Sequence, residues 1–378
     1  MQESVSTDAL GGRSQAAFLR RYWHKQALLV RGAKPRFTGW LSQRDLVALA
    51  CRDDVESRLV IHDSRRWSLA QGPFRRGDFS GLPERDWTLL VHGVNLVDDA
   101  GDALLREFSF IPYARLDDLM VSYAAPGGGV GPHYDSYDVF LLQGFGRRRW
   151  RYGRQRDLAL KPGLALKILA RFTPQHDAVL APGDMLYLPP SSAHDGSAVD
   201  ACTTYSIGFR AGNFTELAQG LLDHLRDRIA IEGRYADPDL TPSTHPARID
   251  PRMQRRIART LARMRFTPTM IAEFLGSHLT EPKPHVAFTR RKAPAIGRFA
   301  KAIASHGVRL DRKTQLLYDA HRFYLNGEAC APPRRGAALL ARLADRRHLT
   351  ARECDGLPPE LVHLLHAAYV DGFLDFDA

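Results

Sequence analysis

Between residues 86 and 210 the chain is cut into short apolar runs separated by Gly, Pro and Asp: WTLLVHGV, LMVSY, DVFLLQ, RWRYG, LALKILA, DMLYLP and TTYSIGF. Runs of this length, punctuated so regularly by turn formers, predict the strands of an antiparallel sandwich or barrel. Ahead of them, residues 15–31 (QAAFLRRYWHKQALLVR) predict a short amphipathic helix leading into a strand. After Phe214 the period changes. Residues 214–230 and 251–277 repeat apolar side chains every three or four positions, which predicts helices, and the polar ADPDLTPSTHP between them reads as a loop. A second boundary falls near 281–296, where EPKPH and KAPA interrupt the pattern. The last segment mixes helices with a hairpin turning at Asn326-Gly327, in the manner of a small winged helix. A length of 378 residues accommodates two or three such domains.

The stretch PGGGVGPHYDSYDVFLLQGFGRRRW (residues 126–150) carries the chemistry. His133 and Asp135 are two apart, so on extended backbone they project from one face and can share a metal ion. His194 follows in GDMLYLPPSSAH, where a strand runs into a Pro-rich turn that presents the imidazole. Two histidines and one carboxylate on one face of an ion form the facial triad of non-haem Fe(II) oxygenases, with three positions left for co-substrate and O2. A bare H-x-D pair arises readily by chance among 15 histidines. The glycine-rich lead-in, the β-rich frame and the second histidine after G-D-x-L-Y-x-P raise it above that level. A zinc or manganese cupin hydrolase or isomerase would carry more histidine around the metal, where this chain has Tyr134 and Ser136.

A 2-oxoglutarate co-substrate chelates iron by its keto-acid end and needs a cation for its far carboxylate, a task suited to the two-pronged guanidinium. Of Arg147, Arg148 and Arg149, strand alternation sends either the middle one or its two neighbours inward; the spacing from Phe140, Leu142 and Trp150 favours Arg148. A solvated edge strand is the competing reading of three adjacent arginines. Thr204 and Ser206, two apart on TTYSIGF, are candidate hydroxyl partners for the same carboxylate. Tyr137 and Asp138 are candidates for contact with a basic substrate residue, against the alternatives that Tyr137 packs in the core and Asp138 caps a turn. Asp117 and Asp118 invite the same two readings.

These motifs bring a family into view. The chain resembles the bacterial JmjC-type ribosomal oxygenases, which hydroxylate an arginine of the large-subunit ribosomal protein L-sixteen. The likeness is densest in DDLMVSYAAPGGGVGPHYDSYDVFLLQGFGRRRWRYG (117–153), continues through PGDMLYLPPSSAHDG and YSIGFRA, and reappears in FLRRYWHKQALLVRGA. It implies a mainly β catalytic domain over 1–213, a double-stranded β-helix of the jelly-roll or cupin type. There Fe(II) would be held by His133, Asp135 and His194, with Arg148 anchoring 2-oxoglutarate. It further implies a helical dimerisation region over 214–285, hence a homodimer, and an α+β winged-helix-like domain over 290–378. The implied activity is hydroxylation of a ribosomal protein, coupled to oxidative decarboxylation of 2-oxoglutarate by O2. Other targets remain open, a histidine among them. So does a non-catalytic reading, a cupin-like sensor joined to a winged-helix DNA binder.

Charge bears on that last alternative. The net charge is +11, and residues 251–350 hold 21 Lys/Arg against 6 Asp/Glu. Such a block could face the phosphates of RNA. Only 8 of the 53 basic residues are lysine, however, so a general preference for arginine accounts for part of the pattern. No apolar run approaches the roughly 20 residues of a membrane span, and the polar MQESVSTDALGGRSQ lacks the apolar centre of a signal peptide. The expected location is the cytoplasm. Cys51, Cys202, Cys330 and Cys354 show no C-x-x-C spacing, which argues against a zinc site or a disulfide framework.

Overall fold

In a computed structural model, residues 8–63, 66–210, 212–226 and 228–377 are described. The chain forms two compact units: one of Met1–Ala211, Pro282–Thr314 and Pro333–Ala378, the other of Gly212–Glu281 and Gln315–Pro332.

The first unit is built on two facing sheets. Its strands are β1 (Leu28–Val30), β2 (Ser57–Asp63), β3 (Arg66–Gln71), β4 (Trp87–Val91), β5 (Leu116–Ala124), β6 (Asp138–Gln143), β7 (Arg148–Gly153), β8 (His176–Leu180), β9 (Met185–Leu188), β10 (Ala193–Ala198) and β11 (Cys202–Phe209). Eight of them lie in the order β1-β9-β6-β11-β5-β4-β2-β3, and a smaller sheet runs β10-β7-β8. All pairings are antiparallel, as in a jelly-roll cupin. The outer face of the large sheet is covered by α1 (Gln15–Arg21) and α2 (Gln43–Ala50), with α3 (Asp99–Arg106) alongside. Phe18 of α1 is fully buried against Phe140 and Tyr187.

The predicted helix-then-strand at the N-terminus is present as α1 and β1. The sheet begins earlier than the sequence pattern suggests, because β2 and β3 precede residue 86. The run LALKILA forms no strand; only Leu169 makes a bridge, to Leu160. Also within this unit, a small sheet sets Val308–Leu310 between His348–Leu349 and Leu374–Phe376.

The second unit contains α4 (Phe214–Leu225), α5 (Pro251–Leu261) and α6 (Pro268–Thr280). The helix predicted over 214–230 ends at Leu225, and Asp227 lies outside the described residues. The helix predicted over 251–277 is two helices. Thr267 caps the second through its side chain, and Pro268 occupies its first turn, where a missing N–H costs nothing. The hairpin at Asn326-Gly327 is present, both residues having positive φ (48° and 93°) as the tight turn requires. It packs on α6: Thr280 Oγ1 accepts from the Gly327 amide at 3.0 Å, and Tyr324 lies against Gly276.

Candidate active site

Successive side chains leave a strand on opposite faces, and the large sheet uses this to separate a core from a cavity. On β5, Leu119 and Val121 enter the core while Asp118, Met120 and Ser122 line the cavity. On β6, Phe140 and Leu142 are core residues while Val139 and Leu141 face the cavity. On β11, Tyr205 and Ile207 go one way and Ser206 and Gly208 the other. The small sheet closes the opposite wall with Arg148, Trp150, His194 and Gly196, leaving a volume of about 540 Å³.

His133, Asp135 and His194 meet in this cavity, with one possible ligand atom from each all within 4.8 Å of one another. Among the described residues no other His, Cys, Asp and Glu side chains cluster in this way. The backbone brings them together. The amides of His133 and His194 donate to each other's carbonyls at 2.9 and 2.8 Å, and the Ser191 amide donates to the Asp135 carbonyl at 2.7 Å. Gly131 makes the approach with φ of 79°, a conformation that needs glycine. At Gly128 a Cβ would sit 2.1 Å from the Trp87 carbonyl oxygen.

Both imidazoles are oriented by carbonyls two residues upstream. His133 Nδ1 lies 2.9 Å from the Gly131 oxygen and His194 Nδ1 2.8 Å from the Ser192 oxygen. A carbonyl only accepts, so each Nδ1 carries a proton, which leaves Nε2 as the nitrogen turned toward a ligand. The two Nε2 atoms lie 3.9 and 3.6 Å from Asp135 Oδ2. Burial, reinforced by the neighbouring His133, holds the His194 pKa down to about 4, so the ring is neutral and able to donate at ordinary pH. Two imidazoles and one carboxylate suit Fe(II).

Of the three adjacent arginines, Arg148 points inward. Arg147 pairs with Asp200 and Arg149 with Asp177 at the surface. Arg148 is 5% exposed and donates from one terminal nitrogen to Ser122 Oγ at 3.1 Å and Thr204 Oγ1 at 3.0 Å. Its Nε is buried with no hydrogen-bond partner among the described residues. An unsatisfied guanidinium N–H beside a cavity fits a carboxylate guest. Ser206 lines the same wall. Ser122, which sequence reasoning did not single out, sits opposite Thr204 in the β5–β11 register.

Tyr137 also lines the cavity. Burial of its hydroxyl and the nearby Asp135, Asp118 and Asp117 carboxylates raise its pKa, so the phenol stays protonated. Asp138 does not join it, and its expected contact with substrate is corrected. As the first residue of β6 it shares the face of Phe140 and Leu142, fully buried, where it accepts from Tyr187 Oη at 2.5 Å and lies 2.9 Å from His24 Nε2. The acidic lining comes instead from Glu56, Asp117 and Asp118. Asp118 accepts from the Gly93 amide at 3.0 Å and lies 3.5 Å from His92 Nδ1. Burial opposes its ionisation, but His92, Lys283 and the Gly93 amide outweigh it and bring the pKa down to about 2.

Comparison with known proteins accords with this arrangement. The JmjC-domain profile matches residues 103–217, and a ROXA-like winged-helix profile matches 262–375. The chain is 34% identical to the ribosomal protein uL16 3-hydroxylase of Escherichia coli K12 over 95% of its own length and 97% of the relative's. It is 40% identical to a probable ribosomal oxygenase of Haemophilus influenzae, over 54% of this chain and 51% of that one. The X-ray structure of E. coli YcfD superposes with a TM-score of 0.84 at 32% identity, covering 97% of this chain and 98% of the other. The YcfD ribosomal oxygenase in complex with cobalt and 2-oxoglutarate superposes with a TM-score of 0.82 at 32% identity, covering 97% and 99%.

Proposed function

Because the chain belongs to the JmjC-domain ribosomal oxygenases, we propose that it is an Fe(II)- and 2-oxoglutarate-dependent hydroxylase of an arginine side chain in the large-subunit ribosomal protein uL16. His133, Asp135 and His194 would hold the iron through their Nε2 atoms and carboxylate, which converge within 4.8 Å of one another. Iron and 2-oxoglutarate bound there supply the oxidising chemistry: O2 is consumed, 2-oxoglutarate leaves as succinate and CO2, and the substrate carbon gains a hydroxyl group. Arg148 grips the far carboxylate of 2-oxoglutarate, its buried Nε and terminal N–H groups providing the fork. Thr204 and Ser122 hold the guanidinium flat, and Ser206 offers a further hydroxyl. The strand walls orient the substrate side chain and exclude water. The observation that carries the reading is the meeting of the His–Asp–His set and the half-satisfied Arg148 in one cavity.

Arginine is favoured as the target by Asp117 and Asp118 beside Tyr137 in the cavity, Glu56 on the same lining being paired with Arg58 at 2.7 Å. A guanidinium can accept this company through charge-assisted hydrogen bonds and through the aromatic face. The test is mass spectrometry of a uL16 peptide after incubation with enzyme, Fe(II) and 2-oxoglutarate. One added oxygen on arginine supports the reading. An unchanged peptide alongside 2-oxoglutarate turnover that requires His133 retains the chemistry and rejects the target.

The same reading divides the chain into a catalytic region (1–213), a helical region that joins two copies (214–285) and a winged-helix-like region (290–378). The winged-helix match, beginning at 262, overlaps the middle one. Exposed Leu222, Ile257, Leu261, Phe266 and Ile271 on and around α4–α6 support a homodimer. Arg252, Arg255 and Arg259 on α5 are exposed and make no ion pair among the described residues, which supports an RNA contact within 251–350. A ribosomal substrate places the enzyme in the cytoplasm; among the described residues no helix is long and apolar enough to cross a membrane.

A further inference from the structure

The acidic side of the cavity already holds a cation that the proposed reaction does not use. Lys283 Nζ lies 3.2 Å from Asp117 Oδ1, and Lys283 lines the same cavity as Asp118 and Glu56. Its charge is felt by all three carboxylates. Burial works against the ammonium, but Asp118 and Asp117 outweigh it and raise its pKa, so Lys283 is charged at physiological pH. Its placement is set by the chain. Pro282 and Pro284 flank it; a proline fixes its own φ and drives the residue before it into extended backbone. The backbone at Lys283 therefore needs little further ordering to carry the side chain toward the carboxylates.

From this geometry we infer that Lys283 is a displaceable internal counter-ion, occupying the acidic side of the cavity until a cationic substrate side chain takes its place. The inference rests on the reading of the substrate as an arginine. A lysine is suited to the task. Its ammonium is a strongly hydrated point charge held here by one contact, and its side chain remains one-third exposed (33%). A guanidinium brings a planar fork that satisfies a carboxylate with two hydrogen bonds. Exchange therefore favours an entering arginine over a neutral side chain, and also over a lysine, which would gain nothing beyond what Lys283 already makes. On this account Lys283 sets specificity by competition and lowers apparent affinity.

The test is calorimetric titration of the full-length enzyme, loaded with cobalt and 2-oxoglutarate, against the uL16 peptide, the same peptide with the target arginine changed to methionine, and argininamide. Lys283→Met keeps the bulk and removes the charge. It is expected to bind the arginine peptide and argininamide about three- to tenfold more tightly, the size of a partly exposed charge interaction. The methionine peptide should show no gain, and KM for the arginine peptide should fall. Lys283→Arg should bind the arginine ligands more weakly than the parent, since the internal competitor then has the same fork. Unchanged or weaker binding by Lys283→Met overturns the inference. So does a lowered melting temperature that Lys283→Arg restores, which would make Lys283 a structural tie. Failure of the parent to bind uL16 peptide, with argininamide still gaining on Lys283→Met, rejects the ribosomal target and keeps the counter-ion.

Discussion

At the scale of single residues, side chains that would meet the co-substrate differ from those that hold the strands. Arg148 is proposed for the first role. Arg148→Lys keeps the charge but loses the fork and the paired hydroxyl contacts, so KM for 2-oxoglutarate should rise on the order of 10- to 100-fold. A steady-state titration of 2-oxoglutarate at saturating peptide checks this; an unchanged KM would move the anchor elsewhere. Asp138 is among the second. Asp138→Asn, leaving Tyr187 and His24 around a neutral amide, should cost about 1–3 kcal/mol of stability in denaturant unfolding and leave peptide KM unaltered. Asp118 links stability to pH. Its pKa is about 2 when folded against 3.8 ordinarily, so the stabilisation is fully present above about pH 4 and vanishes as the pH falls through 2. The parent and Asp118→Asn should differ by about 2 kcal/mol at pH 6 and converge in an acid titration near pH 2.

At the scale of elements, alternation explains both what the sequence revealed and what it concealed. The inward turn of Arg148 was legible because Trp150, two positions on, lines the same wall. The same rule turns Asp138, in register with Phe140 and Leu142 on β6, away from the cavity that Tyr137, just ahead of the strand, lines. β2 and β3 were not legible, since RLVIHD and RWSLAQ mix charge with apolar residues and β3 is an exposed edge. LALKILA misled by composition alone. Its neighbours Pro162, Gly163 and Pro174 bound a segment with no ladder partner beyond a single bridge. The break between α5 and α6 was encoded in Thr267-Pro268, a cap followed by a first-turn proline, but the apolar spacing on either side disguised it. On α6, a Cβ at Gly276 would lie 2.4 Å from the Tyr324 ring, which is tied by its hydroxyl to Asp319 at 2.8 Å. Gly276→Ala should therefore destabilise by roughly 1–3 kcal/mol, despite alanine's better helix propensity. Greater stability in thermal unfolding would show that the ring yields.

At the scale of the whole molecule, the proposed metal triad was readable because His133 and Asp135 stand two apart after a glycine-rich run and His194 follows the G-D-x-L-Y-x-P turn. The carbonyls of Gly131 and Ser192 that orient the imidazoles were not, because backbone partners leave no mark in side-chain identity. Of the cavity's acidic lining, Asp117 and Asp118 on β5 were legible as candidates, but Glu56, more than 60 residues earlier in the chain, was not. The central claim is that these parts act together on one arginine of uL16. The most direct measurement is the mass of that arginine's peptide in uL16 purified from cells carrying the parental gene or the His133→Ala allele. The account requires the peptide to be heavier by one oxygen in the parent and unmodified in the variant. Identical peptides from the two strains would contradict it.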